Sequence, residues 1–238
     1  LTVPTGFQPN NYYRICVTNP NTVVKLNGTI IPNSKLINGF YYEFFNGNFN
    51  GVNASTNPAI PNVIESDIPV MVAQYCTTQA VDGNPSGNPG GDPEMIYLSP
   101  VEQTINKVTL YSANKNAILQ SYINVVLKKG GENSFTLDGV LQTANFITHP
   151  GDANYKYAIL KVTTGNHNLY SDTGYNAIAY GFGNAESYGY NAGTNVIDLN
   201  PPVKITNEFS DASVNFSATC INSPFRVNLA LTYQPQKI

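Results

Sequence analysis

The chain has few charged residues and no long apolar run, and these two shortages exclude several classes of protein. Charged side chains make up 11% of its 238 residues, against roughly 25% in typical globular domains. The net charge is −3, and the densest basic cluster is the pair Lys128 and Lys129. Nucleic-acid binding requires a basic surface that neutralises phosphates, so we expect no nucleic-acid partner. A membrane-spanning helix needs about 20 apolar residues in succession, and no such stretch exists, so we expect no membrane insertion.

Cysteine and histidine are also scarce, which argues against a metal centre. The chain has three Cys and two His, and no two cysteines form a CxxC pair. We therefore predict no metal and no cofactor. Cys16 and Cys76 fall in neighbouring predicted strands, and two interpretations stand side by side: a disulfide, or two ordinary buried thiols. Cys220 then lacks a partner. Because the chain begins at Leu1 without a signal peptide, we expect a piece of a longer protein.

Amides, hydroxyls and aromatic rings provide what the charged residues do not. There are 33 Asn, 16 Tyr and 11 Phe, and no Trp. This many aromatic residues predicts real packing rather than disorder. For the clusters Tyr12-Tyr13 and Phe40 to Phe45, the favoured interpretation is that alternate members fill the core while tyrosine hydroxyls reach solvent. The alternative is that exposed rings stack on a sugar or dock a protein partner.

Short-range periodicity predicts an all-β fold. Apolar residues alternate with other side chains in several segments, most clearly in Phe225, Val227 and Leu229, and this period of two is typical of half-buried strands. No window of 12 or more residues has a helical apolar period. Asn-Gly and Asp-Gly pairs, such as those at Asn27 and Asp138, favour tight hairpin turns between strands.

Two stretches of the chain resemble each other, which predicts an internal repeat. Residues 22–29 (TVVKLNGT) correspond to 133–140 (NSFTLDGV), and a later apolar run opens with Ser-Asp and closes at Tyr75 or Tyr180. We predict two related antiparallel β-sandwich units in tandem. The first covers 1–81 and is truncated at its N-terminus, a Gly/Pro-rich connecting loop covers 82–93, and the second unit covers 94–200. Residues 201–238 are predicted to be C-terminal strands of this fold or the start of a following module.

No catalytic constellation stands out, so we predict that the protein is not an enzyme. The 15 Asp and Glu are spread thinly, and there is no GxSxG motif. His149 and His167 are interpreted as ordinary surface histidines. A carbohydrate-active enzyme is the least favoured alternative. It stays open because the sequence does not exclude two carboxylates that flank one cleft.

The glycine-rich segment 181–193 and the end of the connecting loop carry the candidate ligand-binding residues. In the first, glycines alternate with aromatic rings, so the rings have little local core to fill. Tyrosines would stack on a sugar or dock a protein, while amide and carboxylate groups would form hydrogen bonds. The candidates are Tyr188, Tyr190, Asn184, Glu186, Asp92 and Glu94. The alternative is that these rings pack under a neighbouring sheet and bind nothing.

Four motifs in order resemble the IgG-Fc-binding protein N-terminal domain family. They are VVKLNGT (23–29), PVMVAQY (69–75), GDPEMIYLSPVEQ (91–103) and YGFGNAESYGY (180–190), and YRICV (13–17) also fits. The resemblance covers roughly residues 10 to 200. It implies an extracellular, non-enzymatic module of a larger adhesin-like protein. In bacterial members the domain often precedes immunoglobulin-like or PKD-type modules, and SATCINSPF (217–225) is similar to the opening of one.

The leading hypothesis is therefore a cell-surface adhesion or interaction module of a secreted bacterial protein. It would bind a glycan or a protein of a host or neighbouring cell through its loops, and it would contact adjoining domains of the same polypeptide. The alternative is a structural spacer in a surface fibre, with no ligand of its own.

Overall fold

The computed structural model of the chain describes residues 10–45, 48–49, 52–53, 60–78, 91–115, 117–195, 203–207 and 224–229. Its regular structure in these ranges is antiparallel β-sheet, with no α-helix and with short 3₁₀ turns at Asn33–Lys35, Gly131–Asn133 and Thr143–Asn145. The all-β class that the sequence predicts is therefore confirmed. No helix in the described ranges is long and apolar enough to cross a bilayer.

The N-terminal part of the chain forms two antiparallel sheets. Its strands in the described ranges are β1 Asn11–Cys16, β2 Val24–Leu26, β3 Thr29–Ile30, β4 Tyr41–Phe45, β5 Asn48–Phe49, β6 Val52–Asn53, β7 Ile64–Ser66, β8 Met71–Cys76 and β9 Glu94–Leu98. The first sheet has the order β6-β5-β4-β1-β8-β9. A small second sheet has the order β3-β2-β7.

The following part forms a larger sheet around one long strand. Its strands are β10 Ile105–Ser112, β11 Ile118–Lys128, β12 Thr136–Leu137, β13 Val140–Leu141, β14 Ile147–Thr148, β15 Tyr155–Val162, β16 Gly165–Gly183 and β17 Ser187–Asn191. The order is β13-β12-β16-β11-β15-β14, and β10 and β17 also pair with β16. Contacts group Leu1–Val196 as one unit and Ile197–Ile238 as another. The division into two tandem sandwiches at 82–93 stays a prediction.

The second unit contains one described strand pair. Strands β18 Val203–Asn207 and β19 Phe225–Leu229 are antiparallel to each other. The C-terminal strands expected from the alternation at Phe225 are therefore present, and Cys220 lies outside the described residues.

A bulge near the middle of β16 allows this strand to pair with different neighbours at its two ends. Between the partners Ile105–Tyr175 and Lys107–Tyr170, residues 171–174 of β16 stand opposite the single residue Asn106 of β10. Asn106 Nδ2 donates to the main-chain oxygens of Ser171 and Asp172, at 3.0 and 2.9 Å. Bulges bend a strand and increase its twist. The first half of β16 pairs with β10 and β12, and the second half pairs with β11 and β17.

Among the described residues, three clusters of buried apolar side chains hold the sheets together. One joins the inner face of the first sheet to the small β3-β2-β7 sheet, and its members include Ile15, Tyr42, Val24 and Leu26. Another joins β11, β15 and β16 to β10 and β12, and its members include Ile123, Leu160, Leu110 and Phe135. A third cluster connects the two parts through Cys76, Ile96, Tyr122, Tyr180 and Phe182. Each fully buried large side chain stabilises the fold by about 1.5–3 kcal/mol.

Two hairpins use the same turn chemistry. Asn27 and Asp138 have φ of 49° and 53°, and the glycine after each has φ of 78° and 79°. Positive φ at both central residues is characteristic of the type I′ turn, which joins twisted strands closely. The turn side chain then bonds the adjacent strand: Asn27 Oδ1 accepts from Val63 N at 2.9 Å, and Asp138 Oδ1 accepts from Asn168 N at 2.8 Å.

The side chains of Asn27 and Asp138 each make a second contact, which is a further similarity between the two turns. Asn27 Nδ2 donates to Asn62 Oδ1 at 2.9 Å, and Asp138 Oδ2 lies 2.7 Å from His167 Nδ1. These turns are where the two proposed copies have the same geometry. The internal duplication itself stays a prediction.

Glu132 fixes the connection between β11 and β12 by an ion pair that is nearly buried. Its Oε1 lies 2.7 Å from Lys156 Nζ on β15, and its side chain is 8% exposed. Its Oε2 accepts from Gly130 N at 2.6 Å, and its main-chain oxygen accepts from Thr143 Oγ1 at 2.8 Å. Burial by itself raises the pKa of this carboxyl, but the hydrogen bonds from Lys156 and the main chain outweigh it, so the pKa of Glu132 is lowered.

We expect Glu132→Gln to lower the free energy of unfolding by about 2–3 kcal/mol at pH 7, because it leaves Lys156 largely buried without its partner. The pKa of Glu132 is lower in the folded state, so its stabilisation is complete above the unfolded value of about 4.3 and is lost as pH falls through the folded value. The variant should therefore lose less stability than the parent between pH 7 and pH 3. Urea unfolding at both pH values measures this effect. Glu65→Gln, at an exposed position of β7, is the control, and equal losses in both variants would contradict the assignment.

Candidate functional site

The structure brings the two predicted ligand-binding segments together. Residues 91–94 lie along the hairpin that β16 and β17 form. Gly91 N donates to Gly183 O at 3.0 Å, and Asp92 N donates to Ser187 Oγ at 2.8 Å. Asp92 and Glu94 are therefore neighbours of the hairpin that carries Asn184, Glu186, Tyr188 and Tyr190.

The tip of this hairpin is a tight, closely packed turn. Gly183 N donates to Glu186 O at 2.8 Å, and Ala185 between them has φ of 52°. A Cβ on Gly183 would lie 2.0 Å from Ala117 O, so only glycine fits there. Asn184 is exposed and Glu186 is half-buried. The turn therefore presents an amide and a carboxylate on a backbone that neighbouring contacts hold in place.

The two candidate tyrosines stack on each other, and their hydroxyls bond to the protein. The ring centroids of Tyr188 and Tyr190 are 6.1 Å apart with an interplanar angle of 27°. Tyr188 donates its hydroxyl hydrogen to Ser121 Oγ at 3.0 Å. The Tyr190 hydroxyl donates to Tyr111 O at 2.7 Å and accepts from Tyr111 N at 3.1 Å. Tyr190 is 36% exposed, so part of its ring remains accessible to a ligand.

Glu94 is less available than Asp92, because it lies where β9 packs against β17. A Cβ on Gly189 would lie 2.4 Å from Ile96 Cδ1 and 3.3 Å from Glu94 Cγ. Burial raises the pKa of Glu94, and a hydrogen bond from Met95 N opposes this shift. Asp92 is exposed. Asp92 and Asn184 therefore offer an exposed carboxylate and an exposed amide, with Glu186 half-buried beside them.

The suggested disulfide between Cys16 and Cys76 is wrong. Both cysteines are free thiols. Cys16 pairs with Met71 at one end of β8, and Cys76 lies five positions further along that strand, roughly 16 Å away and on the opposite face. A disulfide requires Cα atoms within about 7 Å. Cys76 is the buried thiol of the alternative interpretation, and burial raises its pKa to about 11.

Cys76 lies directly behind the candidate site. Its Sγ donates to Asp92 O at 3.1 Å, and its side chain belongs to the cluster that includes Ile96 and Phe182. The main chain at Asp92 is therefore held from both sides, by this thiol and by the hydroxyl of Ser187.

Both histidines are buried, so the interpretation of surface histidines is wrong. His149 is 7% and His167 is 5% exposed. His149 Nδ1 accepts from Gly151 N at 3.1 Å, and burial lowers its pKa. His167 lies between Asp138 Oδ2, at 2.7 Å, and Thr163 O, at 2.8 Å. Each imidazole ring therefore stabilises a turn through its hydrogen bonds. Among the described residues no group of three or more His, Cys, Asp or Glu side chains is placed to hold a metal.

Alternate members of the aromatic clusters fill the core, as the favoured interpretation predicts, and the other members lie together on the opposite face of the sheet. Tyr42 and Phe44 are buried, whereas Tyr12, Tyr41 and Phe45 lie on the opposite side of the first sheet. The period of two predicts that the aromatic residues divide between two faces, but it does not say which face is exposed to solvent. Ser187, Ser121 and Tyr111 were also missed, because their contacts join residues distant in the chain.

Comparison with known proteins gives one match. A family model described as "IgGFc binding protein" matches residues 1–181. No curated protein and no solved structure matches the chain. The matched range contains Asp92 and Glu94 and ends before Asn184.

We expect Gly189→Ala to lower the free energy of unfolding by about 1–3 kcal/mol, because the added methyl group overlaps Ile96 where β17 meets β9. Adding Ile96→Val, which removes the Cδ1 atom, should recover part of that loss. A double-mutant cycle by urea unfolding measures the coupling. Purely additive effects of the two substitutions would show that the strands do not meet at this glycine.

Proposed function

The chain belongs to the IgGFc-binding protein family, and we propose that it is an interaction module that binds a macromolecular partner without catalysis. The family is named for binding a protein. The candidate site suits recognition, since it consists of polar side chains on a rigid hairpin and an adjacent segment. Fold and family do not fix a ligand, so the site residues carry the rest of the proposal.

The observation that carries the proposal is the contact between two segments far apart in the chain. Asp92 N and Ser187 Oγ are 95 residues apart in sequence and 2.8 Å apart in space. Together with the Gly91–Gly183 hydrogen bond, this contact holds Asp92 next to the turn that presents Asn184 and Glu186. A surface ordered before binding loses less conformational entropy when a partner docks.

The partner class that we favour is a protein, and an immunoglobulin Fc fragment is the first candidate because of the family description. Asn184 offers an amide, and Asp92 and Glu186 offer carboxylates, for hydrogen bonds across an interface. A glycan is the second candidate, since the accessible part of Tyr190 offers a ring for stacking.

We further propose that the module is extracellular, in an adhesion protein on a bacterial cell surface, with adjoining domains in the same polypeptide. The low content of charged residues and the many Asn support this origin, and the separate unit Ile197–Ile238 supports the presence of a neighbouring domain.

A structural spacer in a surface fibre is the second candidate function, and the tyrosines favour it. The hydroxyls of Tyr188 and Tyr190 bond to Ser121 and Tyr111. The Ile96 side chain packs directly against Gly189, where a Cβ would overlap it. The segment then holds the fold together and has no ligand.

We expect binding to an Fc fragment or to one member of a glycan array, and a loss of at least about tenfold in the combined variant Asp92→Ala/Asn184→Ala/Glu186→Ala. Its melting temperature should stay close to that of the parent, because these side chains are exposed or half-buried. Asn154→Ala/Glu65→Ala, at exposed positions elsewhere, is the control and should bind normally.

Binding is measured by interferometry and by array fluorescence, with and without Ca²⁺. Tyr188→Phe and Tyr190→Phe complete the set, since they keep the rings and remove the hydroxyls. If the folded protein binds neither the Fc fragment nor any glycan of the array, the result would favour the structural spacer over the interaction module.

A further inference from the structure

The outer face of the first sheet has an unusual composition. Antiparallel partners share a face, and the register defines three rows across β4, β1, β8 and β9. The first row is Phe45, Tyr12, Tyr75 and Met95, the second is Glu43, Arg14, Ala73 and Tyr97, and the third is Tyr41, Cys16 and Met71. Together these residues form the outer face of the first sheet.

Four large side chains of the outer face are exposed to solvent. Phe45 is 41%, Met71 50%, Met95 42% and Tyr97 52% exposed. The chain has two methionines, and both belong to this face. The four side chains leave on the order of 400 Å² in solvent, in the range where apolar patches mark interaction sites. Tyrosine, methionine and arginine are also the residue types enriched at protein interfaces.

An ordered ion pair lies at the centre of the outer face. Arg14 Nε is 2.5 Å from Glu43 Oε1, and the Tyr12 hydroxyl donates to the same carboxylate. The guanidinium carbon of Arg14 lies 5.2 Å from the ring centre of Tyr41 and 5.8 Å from that of Tyr75. These contacts fix both charges, yet the Arg14 side chain remains 45% exposed.

We infer that the outer face is a docking surface for a second copy of this chain. An interface between identical copies related by a two-fold axis uses the same patch on both, so the patch must be complementary to itself. Arg14 and Glu43 meet this condition: an axis that passes between them places Arg14 of one copy against Glu43 of the other. The remaining residues of the three rows are uncharged, so no like charges oppose the contact.

Face-to-face packing of two sheets also suits this contact. Stacked sheets lie about 10 Å apart, and side chains of the two faces interdigitate. The exposed rings and the flexible methionines supply the side chains for this contact. The buried area is small for a permanent dimer, so we expect self-association with a dissociation constant on the order of 100 μM.

This association is separate from the binding proposed at residues 91–94. Neighbouring residues of a strand point to opposite faces. On β9, Met95 and Tyr97 belong to the outer face, whereas Glu94 lies on the side that packs against Gly189. Failure of one proposal therefore leaves the other standing.

The test is a charge exchange followed by sedimentation velocity on the full chain, from about 10 μM to 1 mM. Arg14→Glu gives the face two negative charges, and Glu43→Arg gives it two positive charges. Each variant alone should have a dimer dissociation constant raised at least tenfold, because pairing would bring four like charges together. An equimolar mixture should form a heterodimer with an affinity within about threefold of the parent, since opposite faces then meet.

Two further variants separate the apolar contribution from general effects. Met71→Ser/Tyr97→Ser should abolish dimerisation without changing the far-ultraviolet spectrum. Ile147→Ser, at an exposed apolar position of β14, should dimerise like the parent. A parent chain that is monomeric at 1 mM would overturn the inference, as would a mixture of the two charge variants that stays monomeric.

Discussion

The register of β16 constrains more of the first unit than any other pairing. This strand has 19 residues and pairs with β10, β12, β11 and β17. A shift of one residue would turn every side chain to the other face. Leu169, Ala177, Ala179, Tyr180 and Phe182 would then leave two buried clusters at once. Asn106 opposes such a shift, because its amide bonds the main chain inside the bulge.

The candidate site depends on the same strand, because its hairpin is the end of β16. Gly183 and Gly189 allow backbone and side chains to approach more closely than a Cβ would permit. Polar groups then close the gaps, as Ser187 and Ser121 do toward Asp92 and Tyr188. The order of the site thus follows from close packing beneath it, and the exposed side chains contribute little to stability.

Local sequence patterns predicted the strands and the turns well, because both follow from interactions between near neighbours. Alternation identified β19, and the Asn-Gly and Asp-Gly pairs identified the turns at Asn27 and Asp138. The family resemblance through residues 23–29 and 69–75 was confirmed by the family match. The six candidate residues were brought together, although their role in binding stays a proposal.

What the sequence did not reveal depends on contacts between distant residues. A period of two does not say which face is inside, so it could not decide which rings of the first sheet are buried and which are exposed. The prediction of a Cys16–Cys76 disulfide was wrong because two cysteines on paired strands can still lie at opposite ends of those strands. Likewise, the burial of His167 depends on Asp138, which lies 29 residues earlier in the chain.

The Tyr190 hydroxyl has a consequence for how the protein behaves when it is crowded. In the described part of the chain, β10 pairs with β16 alone, so β10 is an edge strand. The N–H and C=O groups on its unpaired side could pair with a strand of another chain. At Tyr111 both groups are already occupied by that one hydroxyl. A ligand that pulled the Tyr190 ring away would therefore expose both main-chain groups of Tyr111 to pairing with another strand.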